Sequence, residues 1–217
     1  MKNILIACEE SQAIANEFRK RGFNAFSNDL QECSGGHPEY HIVDSCLFLI
    51  DGDTVFRTQD GQWHVVVKWD LIIAHPPCTD LCVSGARHFA KKREDGRQQK
   101  SIDFFMEFTR LDCPRVCIEN PIGIMSTIWR KPDQIIHPWQ FGDNYEKSTC
   151  LWLKGLPKLI PEVTEKPDLE YFEWVDKNGK HKRQPLWYYK ASHNTKLRSK
   201  TFPGIARAIA EQWGGVL

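Results

Sequence analysis

No stretch of the chain approaches the ~18 consecutive apolar residues that a membrane-spanning helix needs, so its 217 residues hold no such span. There is no export leader either: Met1 to Ala7 is too short and reads as a first strand. Without a leader, eight scattered cysteines are expected as reduced thiols in a cytoplasmic protein rather than as a disulfide framework. Repeats and low-complexity tracts are also missing, which leaves one domain with a sizeable core and a small appendage. A further absence is local. Lys177 to Ala210 contains no Asp or Glu, but six lysines and three arginines. With a net charge of +1 overall, that segment carries +9 and the remainder −8. Trp187, Tyr188 and Tyr189 lie inside it. Basic side chains interleaved with aromatics meet phosphates and stack on bases; the same pattern also fits a solvated loop and helix face.

What is present alternates short apolar runs with helical patterns, the signature of an α/β sheet. Ile4 to Ala7 predicts the first strand, Gln12 to Arg21 a helix capped by Ser11 and ended by Gly22, and Phe23 to Ser27 the second strand, closing on Asn28-Asp29. An acid at the end of a second strand accepts hydrogen bonds from ribose hydroxyls in nucleotide-binding sheets, although a turn or capping Asp has the same appearance. His41 to Asp44 predicts a third strand, also ending in an acid. Thr54 to Val67 alternates around Asp60-Gly61 and predicts a hairpin.

The apolar run Trp69 to Ala74 predicts a buried strand, and Pro76-Pro77 stops its ladder because proline has no N–H. Cys78 is then expected on a loop at the carboxyl end of a strand, where ligands bind in open α/β sheets. A charged loop from Lys91 to Lys100 precedes a helix with Ile102, Phe105, Phe108 and Leu111 on one face. Arg115 to Ile118 predicts a fifth strand delivering Glu119-Asn120-Pro121, one strand–helix–strand step from Cys78 and therefore on the same rim. Cys150 to Leu153 predicts a sixth strand, Lys177-Asn178-Gly179-Lys180 a turn, and Pro203 the start of a final helix to Trp213. Cys113 and Cys117 are separated by Pro114 and a buried strand, so their thiols are not expected to converge with Cys78 and Cys82 on a zinc ion.

Pro76-Pro77-Cys78-Thr79-Asp80-Leu81-Cys82-Val83-Ser84-Gly85-Ala86-Arg87 resembles the proline–cysteine nucleophile loop of the cytosine-5 DNA methyltransferases, in the compact form found in phages and prophages. Thr79 stands where that family usually has Gln, and Cys82 where it has Ser. Glu119-Asn120-Pro121 is similar to the family's E-N-V element, Asp95-Gly96-Arg97 to its D-x-R-G, and Pro203 to Ala210 to its closing helix. The resemblance implies a Rossmann-like, S-adenosylmethionine-dependent methyltransferase fold: a mostly parallel sheet flanked by helices, with an inserted hairpin. It places the catalytic domain at 1–154 plus 200–217 and a small basic target-recognition region at 155–199. It implies Cys78 as nucleophile, Glu119 as the holder of the target ring, and Lys147 at the position of the first arginine of a Q-x-R-x-R strand; a solvated lysine fits that position equally.

For S-adenosylmethionine it implies Ala7, Cys8, Glu10, Ser11, Asp29, Leu30, Asp44 and Pro76, although Ala7 to Gln12 carries none of the glycines of the family's first loop. The expected partner is double-stranded DNA with its target base flipped out, met by Arg87, Lys180, Lys182, Arg183, Lys196 and Arg198, and the protein is expected to act as a monomer. Two alternatives stand beside this: modification of pyrimidine 5-positions in RNA or free nucleotides, and a catalytically idle nucleic-acid-binding relative.

Overall fold

A computed structural model describes residues 1–50, 54–191, 194 and 198–217. Strands β1 (Asn3–Ala7), β2 (Asn24–Asp29), β3 (His41–Val43), β6 (Leu71–Ala74), β7 (Val116–Pro121), β8 (Gln134–Ile136) and β9 (Thr149–Lys154) form one sheet in the order β3-β2-β1-β6-β7-β9-β8. Every neighbouring pair is parallel except the two made by β9. This is the Rossmann-like, mostly parallel sheet flanked by helices that the sequence predicts. The hairpin β4 (Thr54–Arg57) and β5 (Trp63–Val66) is present, with Gly61 at φ 95° in its turn.

The central strands read as continuous apolar runs because both faces are covered. Along β1, Ile4 and Ile6 face a layer built from α1 (Ala13–Lys20) and the final helix (Pro203–Gly214), with Phe18, Ile209 and Trp213 at its centre. Leu5 and Ala7 face the other layer. That layer holds Phe26, Phe56 and Trp69 under the hairpin and Phe105 and Phe108 from α3 (Arg97–Glu107) and the turn after it. Each such side chain contributes roughly 1.5–3 kcal/mol by leaving water.

Two local expectations are corrected, one edge strand is new, and one hairpin is met. Helix α1 begins at Ala13, after Gln12 in a left-handed conformation. Ser11 Oγ lies 3.5 Å from the Ala13 amide, while the first free amides of the helix, Ile14 and Ala15, donate to the buried Glu9 carboxylate at 2.7 and 3.3 Å. Much of the expected 91–100 loop is helical: α2 (Phe89–Glu94) and α3 are separated by Asp95-Gly96. The three-residue strand β8, too short to leave a periodic signal, adds an edge beside β9. The hairpin cue at Lys177-Asn178-Gly179-Lys180 is met by β10 (Tyr171–Val175) and β11 (His181–Pro185), followed by α5 (Leu186–Lys190), and Trp213 Nε1 donates to Pro157 O at 3.0 Å.

The final helix docks through Gly204. Its amide donates to Asp143 Oδ2 at 2.8 Å, and a Cβ there would lie 2.0 Å from Phe141 O. Gly204→Ala is therefore expected to lower stability by about 2 kcal/mol, in the range for overpacking. Urea denaturation checks this: the midpoint falls with an unchanged m-value, and an unchanged midpoint would show that the helix docks more loosely.

Candidate active site

The loop after β6 is fastened at each turn. His75 N donates to Ala7 O at 3.0 Å, the last backbone bond before the two prolines. Asn120 Nδ2 then donates to Pro76 O at 2.7 Å, so a side chain of β7 continues what the ladder cannot. The chain turns back on Cys78, whose carbonyl accepts from Leu81 and Cys82 at 3.0 and 2.9 Å. Leu81 O accepts from Ile124 N at 2.9 Å, and Gly123 approaches so closely that a Cβ would sit 2.5 Å from Leu81 O. From the other side, buried Lys92 donates to Thr79 O and pairs with Asp80 at 3.1 Å, while Gln98 Nε2 donates to Asp80 O at 3.0 Å. Helices α2 and α3 thus clamp the loop that carries Cys78.

Cys78, Glu119 and Lys147 are brought together at the carboxyl ends of β6 and β7. The charges of Glu119 and Lys147 both act on the Cys78 thiol. Sequence reasoning missed a fourth group. His75 Nδ1 lies 2.8 Å from Glu119 Oε2, with side-chain exposures of 13% and 20%. Burial alone would lower the His75 value, but the Glu119 bond and charge, with Glu9 behind them, raise it. Burial likewise opposes the Glu119 charge, and the bond to His75 overcomes it and holds the carboxyl low. Each partner therefore favours the charged form of the other. Lys147 donates to Arg198 O at 3.0 Å and, with His75, Glu119, Thr149 and Phe202, lines a cavity of 20 Å³, room for about one water. His75 Nε2 is buried without a protein partner. A histidine one residue past a buried strand, on the same rim as a strand-end acid, was the available signal.

A loop that enters a helix N-terminus lowers a cysteine's value, but at Cys78 the neighbouring Cys82 thiol, then burial, push it up. Cys82 is held down to about 5, first by the bond from Cys78 and then, against burial, by Ser84 and the Ser84 and Gly85 amides. The turn of helix that follows begins at Val83, so its free amides serve Cys82 and not Cys78.

At the cofactor end, Ala7 and Pro76 are buried backbone positions at the ends of β1 and β6, and Asp29 ends β2 with Oδ1 accepting from Gln31 N at 3.0 Å. Asp44 follows β3, and Leu30 is 76% exposed. Cys8, at φ 61°, takes a left-handed turn that glycine usually supplies, as does Gln12 at 57°. Glu10 is buried and its carbonyl accepts from Ser34 N at 3.1 Å, while Ser11 is half-buried beneath Gly35, where a Cβ would lie 2.6 Å from Ser11 O. The acids at the strand ends fit the ribose and adenine of S-adenosylmethionine. The N-terminus of α1 does not serve its carboxylate, because Glu9 already holds those amides.

The basic residues do not form one patch. Arg87 is exposed beyond Cys82. Lys180 is exposed beside the β10–β11 turn, whereas Lys182 and Arg183, adjacent on β11, point to opposite faces. The Arg183 guanidinium lies over the Tyr171 ring at 4.8 Å and that of Arg198 over Tyr188 at 5.6 Å. Lys196 lies outside the described residues.

No family model and no curated protein matches the chain. One solved structure that it resembles is an E. coli prophage protein described as a candidate DNA modification methyltransferase, with 13% identity and a TM-score of 0.43. The match covers 70% of this chain and 46% of that one, so the chain spans about half of that protein's length. Among the described residues, no helix is long and apolar enough to cross a membrane.

The ion pair has a defined pH window. His75, raised above its ordinary 6.5, contributes fully below pH 6.5 and loses its contribution as pH climbs through its folded value. Glu119, lowered from 4.5, contributes fully above pH 4.5 and loses its contribution as pH falls through its folded value. Both contributions are complete between pH 4.5 and 6.5. NMR titration of the imidazole is expected to show His75 titrating above 6.5, and below it in Glu119→Gln, where burial acts without its partner. A wild-type value at or below 6.5 would show that Glu119 does not hold the charged imidazole.

Proposed function

We propose that the protein transfers a methyl group from S-adenosylmethionine to carbon 5 of cytosine in DNA, through a covalent adduct at Cys78. One observation supports this reading above the others: Cys78 and Glu119 stand at the carboxyl ends of adjacent parallel strands, with Lys147 and His75 at the same small cavity. When bound, S-adenosylmethionine supplies the electrophilic methyl group, and Asp29 and Asp44 are the residues that would hold it.

Carbon 5 of cytosine becomes nucleophilic once a thiolate adds to carbon 6. The Cys78 Sγ–C6 bond forms, the C5=C6 electron pair shifts to carbon 5, and the Cys78 proton passes to the neighbouring Cys82 sulfur. After methylation the carbon 5 proton leaves to solvent water, the C5=C6 bond re-forms and the C6–Sγ bond breaks, releasing Cys78. Glu119 accepts from the exocyclic amine of the ring, with Oε2 fixed by His75. Lys147 stands by the O2 carbonyl as a point charge. In duplex DNA the base must leave the stack to enter such a site.

Cys78→Ser is expected to abolish turnover without unfolding the protein, and 5-fluorocytosine DNA to trap an adduct at Cys78 alone among the eight cysteines. Mass spectrometry of DNA and RNA nucleosides after incubation with labelled S-adenosylmethionine gives the base and the polymer; an adduct at another cysteine, or full activity in the serine variant, sinks the mechanism. Asp29→Ala is expected to weaken S-adenosylmethionine binding by ~1–3 kcal/mol, the scale of a charge-assisted hydrogen bond. Calorimetry reads this directly, and equal affinity in the two proteins would remove Asp29 from the site.

A further inference from the structure

Strands β10 and β11 carry a feature that the catalytic reading does not use. Alternation along β10 sends Phe172 and Trp174 to one face and Tyr171 and Glu173 to the other. On the first face Trp174 stacks on Phe172, with ring centroids 5.8 Å apart and planes at 26°. Phe172 in turn stacks on Tyr189 of α5, at 3.7 Å and 9°. The three rings form a ladder whose ends are open: Trp174 is 38% and Tyr189 43% exposed. The register sets Lys182 opposite Trp174 and Gln184 opposite Phe172, and exposed Lys190 follows Tyr189. Of the nearby acids, Asp176 accepts from the Asn178 and Lys180 amides and lies 3.9 Å from the Lys182 ammonium, and Glu173 lies on the opposite face, across from Arg183.

We propose that this ladder is a stacking platform for the bases of single-stranded nucleic acid, with Lys180, Lys182 and Lys190 on its phosphates. The inference rests on the nucleic-acid reading above. Exposed ring faces with flanking cations fit an unpaired strand, whose bases offer π-faces. In a duplex those faces are covered by neighbouring bases, and only edges and phosphates remain. The platform is also tied to the reactive cavity. Tyr171 Oη donates to Glu146, Lys166 pairs with Glu146 at 2.9 Å, and Trp187 Nε1 donates to Glu146 O at 3.1 Å. Glu146 precedes Lys147, so a strand stacked on the ladder is anchored through one residue to the wall of the site.

Fluorescence anisotropy with the full chain tests this without cofactor or turnover, using a labelled 12-nucleotide single strand and the same sequence as duplex at fixed salt. The single strand is expected to bind at least tenfold tighter. Trp174→Ala and Tyr189→Ala are each expected to lose about tenfold on the single strand and little on the duplex, with Trp174→Phe restoring most of the affinity and circular dichroism confirming the fold. Lys182→Gln is expected to flatten the single-strand salt slope by about 0.7. Duplex binding as tight as single-strand binding, or a folded Trp174→Ala with unchanged affinity, overturns the platform while leaving the nucleic-acid reading standing. Failure to bind either polymer overturns both.

Discussion

The site depends on how the β6 ladder ends. Pro76 and Pro77 have no N–H to offer, and the backbone would drift from the sheet were it not for the Asn120 amide on Pro76 O at 2.7 Å. That bond crosses to β7, the strand that carries Glu119. One contact therefore sets the height of the Cys78 loop and its distance from the acid. The clamps by Lys92, Gln98 and Gly123 then leave the loop little freedom, and a reactive group held by its surroundings keeps its geometry without reorganisation.

The second constraint is charge. Glu9, Glu119 and Lys147 all act on His75 at the ends of four adjacent strands. Isolated, each would be expensive to bury. Removing one member leaves an uncompensated charge, which costs far more than the net contribution of the pair.

Glu9 also shows how a loop without glycine keeps its shape. Cys8 and Gln12 accept left-handed conformations, strain of order 1–3 kcal/mol each that surrounding contacts must offset. The Glu9 carboxylate on α1 and the Gln12 amide on Ser27 Oγ and His37 O are those contacts. The carboxylate then occupies the anion seat that a helix N-terminus would otherwise offer a ligand.

Much of this was legible in the residues. Runs such as Ile4 to Ala7 and Leu71 to Ala74 announce strands buried on both faces, because only such strands are apolar at every position. Pro76-Pro77 announces the end of a ladder, and the spacing from Cys78 to Glu119 announces one crossover and a shared rim. Side-chain alternation and proline chemistry are local, so the sequence alone determined the sheet, its order near the site and the meeting of Cys78 with Glu119. It did not determine which group caps α1, or that Lys182 and Arg183 face apart. Those depend on which amides and charges the fold brings within ~3 Å, and only the tertiary structure decided them.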